Sequence, residues 1–280
     1  MEGTGRIVVI IGAGSKHDKD AISSNEDFDP ATEYGLGGAL GMPFAEAGYH
    51  VVLVGRRENV LQSVQKNTQD VAKGGAKVTY VQCDVTKEED VERAYREIQD
   101  NATTNNAFVD CIIYNAAPAM PPNFSFGTDS IQPHMIDTEN MSTQFDILVN
   151  GVIRFCKHFI PDMVNRNSGC VLLSGATMQL RGGANFGAMA PAKTAQRSLG
   201  QSMFQCYGSK GVHVCNIVID GVIDSPNTRK WFGGKPSEKL MPPIDLAGQY
   251  LSVYRQPKSV WSYELTLTPG VSSASVGMRM

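Results

Sequence analysis

The sequence lacks any apolar run long enough to cross a bilayer. Its hydrophobic stretches are strand-length, well under the roughly 20 residues a spanning helix needs. Excess basic charge is missing too: a formal net charge of -3 leaves no electrostatic footprint for nucleic acid. The six cysteines (Cys83, Cys111, Cys156, Cys170, Cys206 and Cys215) contain no Cys-x-x-Cys pair, which disfavours a zinc site. Several lie in apolar strand-like runs, where a thiol acts as a small hydrophobe. None of the five histidines (His17, His50, His134, His158 and His213) stands at ligand spacing from another or from a carboxylate cluster. No basic segment followed by an apolar stretch opens the chain, so no secretory leader is expected, and a reduced, cytoplasmic protein is.

The sequence does carry a regular rhythm. Short apolar runs at 6–12, 50–55, 77–83, 109–115, 170–174, 213–219 and 264–267 alternate with amphipathic stretches at 36–47, 60–72, 88–100, 138–166 and 192–207. Near-continuous apolar strands separated by helices predict a parallel sheet covered on both faces. The right-handed crossover rule makes that sheet doubly wound, a Rossmann-type α/β fold of about seven strands. No linker divides the chain, so residues 1–280 are expected to form one domain.

Two segments interrupt the rhythm. Residues 16–34 separate the first strand from its helix, where a few residues are usual. They carry six acidic residues against two lysines, so beside a diphosphate they are expected to fold outward or to act as a lid. Residues 225–243, with Trp231, Phe232 and Gly233-Gly234, occupy the place of a substrate-covering lid.

Glycines flank the first interruption. Gly12-Ala13-Gly14-Ser15 ends a strand and Gly35-Leu36-Gly37 opens a helix; without 16–34 the remainder matches G-x-x-x-G-x-G. Such glycines let backbone approach a pyrophosphate while the helix start offers free N–H groups and a positive dipole end, which makes Gly12, Ser15, Gly35, Leu36 and Gly37 candidate phosphate contacts. A flexible glycine turn is the competing reading. The second strand ends in Gly55-Arg56-Arg57. A carboxylate there would bind a ribose 2′-hydroxyl, whereas Arg56 suits a 2′-phosphate and so argues for NADP(H). A solvated basic helix start is the alternative.

With these residues in view, the chain resembles the short-chain dehydrogenase/reductase family from about residue 6 to residue 269. Cys83-Asp84-Val85-Thr86 is similar to its Asp-Val-Thr turn, which implies that Asp84 and Val85 meet the adenine. Tyr114-Asn115-Ala116-Ala117 resembles Asn-Asn-Ala-Gly and implies Asn115 and Ala116 beside the adenosine ribose, with Tyr114 and Ala117 departing. Ile219-Asp220-Gly221-Val222-Ile223-Asp224-Ser225 resembles the Pro-Gly-x-x-x-Thr segment and implies Gly221, Ile223 and Ser225 at the nicotinamide amide; Asp220 replaces its proline. Stretch 145–163 looks like the helix carrying the family's asparagine, here Asn150. Ser174-Gly175-Ala176-Thr177, Arg181-Gly182-Gly183 and the ending Trp261-Ser262-Tyr263-Glu264-Leu265-Thr266-Leu267 are similar to a divergent subgroup.

The resemblance implies hydride transfer between nicotinamide and a carbonyl or alcohol carbon, with proton exchange by a tyrosine beside a lysine. Lys193 matches the lysine. Four residues earlier stands Met189, which has no proton to give. Asn185-Phe186-Gly187-Ala188-Met189-Ala190-Pro191-Ala192-Lys193 and Tyr34-Gly35-Leu36-Gly37 are similar to enoyl-acyl-carrier-protein reductases, whose tyrosine lies seven residues before the lysine, yet that position is Phe186. Three accounts stay open. In the first, Ser174 or Thr177 holds a substrate oxygen, and a water on Lys193 and Asn150 relays the proton, with Tyr34 reaching over. The second is a catalytically silent NADP(H)-binding sensor or scaffold, and the third is other chemistry, such as enoyl reduction. The resemblance further implies a small-molecule substrate and a homodimer or homotetramer built through the helices ending near Arg166 and Tyr207.

Overall fold

The fold was analysed on a computed structural model that describes residues 3, 5–14, 28–118, 132–183, 186–230, 234 and 237–270. Seven parallel strands form one sheet: β1 (Arg6–Ile11), β2 (His50–Gly55), β3 (Val78–Gln82), β4 (Phe108–Tyr114), β5 (Gly169–Ala176), β6 (Val212–Ile219) and, beyond a small β7–β8 pair (Val222–Ile223 with Leu240–Met241), β9 (Glu264–Leu267). Their spatial order is β3-β2-β1-β4-β5-β6-β9. The expected doubly wound sheet is therefore present, with strand order reversing between β1 and β4.

Side chains alternate between the two sheet faces. Val8, Ile10, Leu53, Ile113, Leu172 and Ile217 join one buried cluster. Helices α1 (Pro30–Ala39), α2 (Gly41–Glu46), α3 (Glu58–Asp70) and α9 (Pro243–Tyr254) cover that face. Ile7, Val9, Val54, Ile112, Val171 and Leu173 face α4 (Glu88–Thr104), α6 (Gly151–Asn165) and α7 (Met189–Tyr207). Burial on both sides is why these strands read as unbroken apolar runs rather than as an alternation. Among the described residues no helix is long and apolar enough to cross a membrane.

Three elements depart from expectation. Helix α9 was not predicted, because Pro242-Pro243 reads as a breaker; a proline at the first helical position has no partner to lose and starts the helix instead. Residues 15–27 lie outside the described residues, but the remainder of the 16–34 interruption does not fold outward. Asp29 caps α1 by accepting from the Ala31 and Thr32 amides, and Ala31, Thr32 and Tyr34 are buried. Gly35, at φ 61° and ψ −162°, then breaks the helix, so that a second start begins at Leu36.

The third departure is that the predicted helix 138–166 is divided. Between α5 (Thr138–Phe145) and α6 a π-turn runs from Asp146 to Asn150, closed by the Gly151 amide donating to the Asp146 carbonyl. Such turns free a carbonyl from the helical ladder. Here the Tyr114 hydroxyl donates to the Ile147 carbonyl at 2.5 Å from beneath. A Cβ on Gly151 would overlap that hydroxyl and stand 3.2 Å from the ring carbon that bears it, so Tyr114 and Gly151 depend on one another. Gly151→Ala should therefore lose about 1–3 kcal/mol of stability by overpacking. In a Tyr114→Phe background the same change should cost less, a non-additivity measured by a urea-denaturation double-mutant cycle.

Candidate dinucleotide and active site

The crevice lies where the strand order reverses, the position at which open α/β sheets bind ligands. β1 ends in Gly12, whose φ of 86° suits only glycine without strain. Its amide and that of Ala13 donate to the Val54 carbonyl at 2.8 and 3.0 Å, which ties the turn to β2. A Cβ on Gly12 would stand 2.5 Å from the Ala116 nitrogen. A Cβ on Gly37 would stand 2.5 Å from the Gly12 oxygen and 2.6 Å from that of Gly14. The Asn115 amide closes the set by donating to the Gly12 carbonyl at 3.0 Å. Two glycine turns separated in sequence thus meet, as the spacing implied. Leu36 buries its side chain in the core, which leaves only its backbone to face the turn. Ser15 lies outside the described residues.

This meeting floors a crevice of about 260 Å³, lined also by Arg56, Arg57, Asp84, Val85 and Ala116. Arg56 is exposed at its rim and anchored through its carbonyl, which accepts from the Gln82 amide at 2.8 Å. One Asp84 oxygen accepts from the Thr86 amide and hydroxyl, which shapes the turn after β3. A glycine turn packed beside a helix start, guanidinium groups at the rim and a turn-end carboxylate are groups that could hold the diphosphate and adenosine of a dinucleotide.

The other half of the site lies at the ends of β5 and β6. Lys193, near the start of α7, is buried; its ammonium donates to the Ser174 carbonyl at 2.6 Å and to Gln196 Oε1 at 2.9 Å. Thr177, also buried, donates its hydroxyl to Asp220 Oδ1 at 2.5 Å. Met189 and Phe186 pack with Met178, Ala176 and Ala190 into an apolar cluster, so neither tyrosine position carries a polar group. Gly221 is tied to the β7–β8 pair, since its Cβ would stand 2.6 Å from Met241 Sδ.

Several expected contacts are used otherwise. The Ser174 hydroxyl pairs with the Tyr250 hydroxyl at 2.7 Å on the face covered by α9, whereas Lys193 arrives from α7 on the opposite face. Ser174 therefore offers its carbonyl, not its hydroxyl, to the lysine. Burial raises the Tyr250 phenol, the wrong direction for a proton donor at neutral pH. The Asn150 amide is exposed and donates to Asp146, itself paired with Arg154 at 2.7 Å; it makes no hydrogen bond to Lys193. Tyr34 is buried in the core and does not reach over the site. Ser225 caps the short helix α8 (Pro226–Lys230) through Thr228, and Ile223 packs on the core while its carbonyl accepts from Thr228.

Sequence reasoning missed Tyr250 and Gln196 as site neighbours and gave Asp220 no role. Gln196 had a signal in its i+3 spacing from Lys193 on one helix, and Asp220 in its replacement of the proline in the 219–225 segment. Within α8, Arg229 binds Asp224 at 2.7 and 2.8 Å and lies over the Phe28 ring, 4.9 Å from its centroid. The second interruption is thereby tied to the first. Trp231, Phe232 and Gly233 lie outside the described residues, and among the described residues no cluster suits a metal ion.

A family model described as short chain dehydrogenase matches residues 31–235, more than half of the chain. The chain belongs to the short-chain dehydrogenase family. Relatives of this short-chain dehydrogenase include an uncharacterized oxidoreductase of Staphylococcus saprophyticus, 24% identical over 235 residues that span 84% of this chain and 93% of that protein. A 3-oxoacyl-acyl-carrier-protein reductase of Chlamydia muridarum is 24% identical over 76% of this chain and 83% of its own. Among solved structures, an alcohol dehydrogenase of Thermococcus sibiricus complexed with 5-hydroxy-NADP matches with a TM-score of 0.72 at 21% identity, covering 95% of this chain and 97% of that one. Levodione reductase matches with a TM-score of 0.75 at 18% identity, covering 96% and 98%. At these identities the structures establish the fold.

The two loop glycines separate dihedral strain from close approach. Gly35→Ala should cost about 1–3 kcal/mol for its positive-φ extended backbone alone, a conformation essentially confined to glycine, since a Cβ there meets nothing within 4 Å. Gly37→Ala should cost more and should also weaken dinucleotide binding, because it drives the two turns apart. Urea denaturation and nucleotide titration of both variants check the contrast.

Proposed function

We propose that this short-chain dehydrogenase binds NADP(H) and interconverts a carbonyl and an alcohol on a small, moderately apolar substrate. The observation that carries the reading is the convergence of Gly12, Gly37 and Asn115 on one crevice with Arg56 and Arg57 on its rim. Arg56 binds the 2′-phosphate in this reading, Asp84 and Val85 flank the adenine, and the amides at Leu36 and Gly37 hold the diphosphate. A bound dinucleotide would supply hydride transfer, and Lys193, held by the Ser174 carbonyl and Gln196, would support its sugar. Assembly as a homodimer or homotetramer through α6 and α7 belongs to the same reading.

Nicotinamide-fluorescence titration tests the cofactor. NADPH should bind more tightly than NADH, and Arg56→Ala should weaken NADPH by roughly 10–100-fold, the worth of a hydrogen bond to a charged group, while leaving NADH unchanged. Equal loss for both nucleotides would remove Arg56 from the 2′-phosphate.

A second reading, a cofactor-binding protein without turnover, draws support from the apolar packing of Phe186 and Met189, the two positions at which the resemblance implies a tyrosine. Met189 is half-buried at the start of α7, so a phenol there has room to reach the site. Under the catalytic reading, Met189→Tyr should speed NADPH-dependent reduction of some carbonyl by roughly 10²-fold, the low end for a positioned general acid. Tight NADPH binding with no turnover by either protein favours the silent binder.

A further inference from the structure

Two family positions for the proton-exchanging hydroxyl are apolar here, and hydride chemistry between carbonyl and alcohol still requires one proton to move. We infer that Asp220, with Thr177 as its relay, is the group that exchanges the proton at this site, accepting it when an alcohol is oxidised and returning it when a carbonyl is reduced. The inference rests on the dinucleotide reading above and deepens it by naming the proton carrier.

A dinucleotide straddles the point where strand order reverses. The crevice at the ends of β1 to β4 takes its adenosine half, which leaves the ends of β5 and β6 for the reactive half. Thr177 follows β5 directly, and Asp220 follows β6 directly. The two strands are neighbours in register, with Ala176 beside Ile219, so the residues that follow them stand side by side. The Asp220 amide donates to the Leu267 carbonyl of β9 at 2.8 Å, which fixes its backbone. Its side chain is half-buried and forms no ion pair among the described residues, while its Oδ1 receives the Thr177 proton at 2.5 Å.

The alternatives at these strand ends are occupied. The Lys193 ammonium is deep and engaged by the Ser174 carbonyl and Gln196. The Ser174 hydroxyl faces Tyr250 across the sheet. Asp224 is neutralised by Arg229 through two short contacts. Among the described residues, Asp220 is the carboxylate directly at these strand ends that no ion pair holds.

A carboxylate already accepting from a hydroxyl is placed to take a proton through it as an alcohol is oxidised. In the step that follows from this, a substrate alcohol O–H proton passes to the Thr177 oxygen as the Thr177 proton passes to Asp220. The carbinol C–H leaves as hydride to the oxidised dinucleotide. The products are a carbonyl, the reduced dinucleotide and protonated Asp220, which returns its proton to water.

Two measurements test this. In the nucleotide-free protein, NMR should detect a slowly exchanging hydroxyl proton that disappears in both Thr177→Val and Asp220→Asn; its absence from the native protein overturns the relay. With NADP⁺ and a panel of secondary alcohols from propan-2-ol to 1-indanol, Asp220→Asn should lower kcat by roughly 10²–10⁴-fold, the range for general base catalysis. KM and NADP⁺ affinity should stay within about twofold, because no binding contact is removed, and Asp220→Glu should recover most of the rate. Native turnover that survives Asp220→Asn overturns this inference and leaves the proposed function standing. Failure of NADP(H) to bind, or binding without turnover of any alcohol or carbonyl, removes the catalytic reading and this inference with it. Should Asp220→Asn not fold, as judged by circular dichroism and NADP⁺ binding, Thr177→Val against Thr177→Ser decides: valine must lose the rate and serine must keep it.

Discussion

The crevice depends on backbone meeting backbone where the strand order reverses. Gly12 carries a left-handed φ, and the next strand end and the start of α1 press so close that neither Gly12 nor Gly37 has room for a Cβ. Asn115 reaches across the reversal to the Gly12 carbonyl and links β4 to the β1 turn. Close-packed backbone of this kind transmits small shifts rather than absorbing them. The position of α1, the separation of its free N–H groups from the β2 end, and the reach of Arg56 all follow from it. An insertion between two halves of such a turn is tolerable only if its ends return to the same place, and the Asp29 cap and buried Tyr34 bring one end back.

The reactive half is arranged by a different logic. Lys193 is a buried charge, and such a group persists only with acceptors at hand. The Ser174 carbonyl and Gln196 supply them. Around it Phe186 and Met189 fill space with Met178 and Ala190, while Thr177 and Asp220 form a separate polar pair. The fold is that of the family, whereas this apolar cluster and polar pair are made by side chains at the ends of β5 and β6.

Much of the fold was legible because period and burial are local properties. Strands buried on both faces must be apolar throughout, and the five inner strands of the main sheet emerged from that signal, while the edge strands β3 and β9 showed as short runs mixing apolar and polar residues. Helix α9 escaped because its proline pair reads as a stop when nothing shows that the first proline precedes a helix start. That omission had a consequence at the site. Cys170, Leu172 and Ser174 follow one another at a spacing of two, so they share a sheet face, and with α9 in place Ser174 falls toward Tyr250. The π-turn was hidden for a related reason. It arises from Tyr114, a residue 33 positions from the carbonyl it binds, and no helical periodicity reports a bond from a neighbouring strand.

By itself the sequence determined the strand–helix alternation, the two glycine turns, the basic end of β2 and a lysine near a helix start, because each is written in neighbouring residues. Only the tertiary structure decided which side of the sheet the Ser174 hydroxyl takes and that Thr177 meets Asp220 across 43 residues. It also decided that Arg229 brings the two interruptions together over the Phe28 ring. Those contacts join residues remote in the chain, and their geometry comes from how strands register and helices pack, which a linear pattern does not encode.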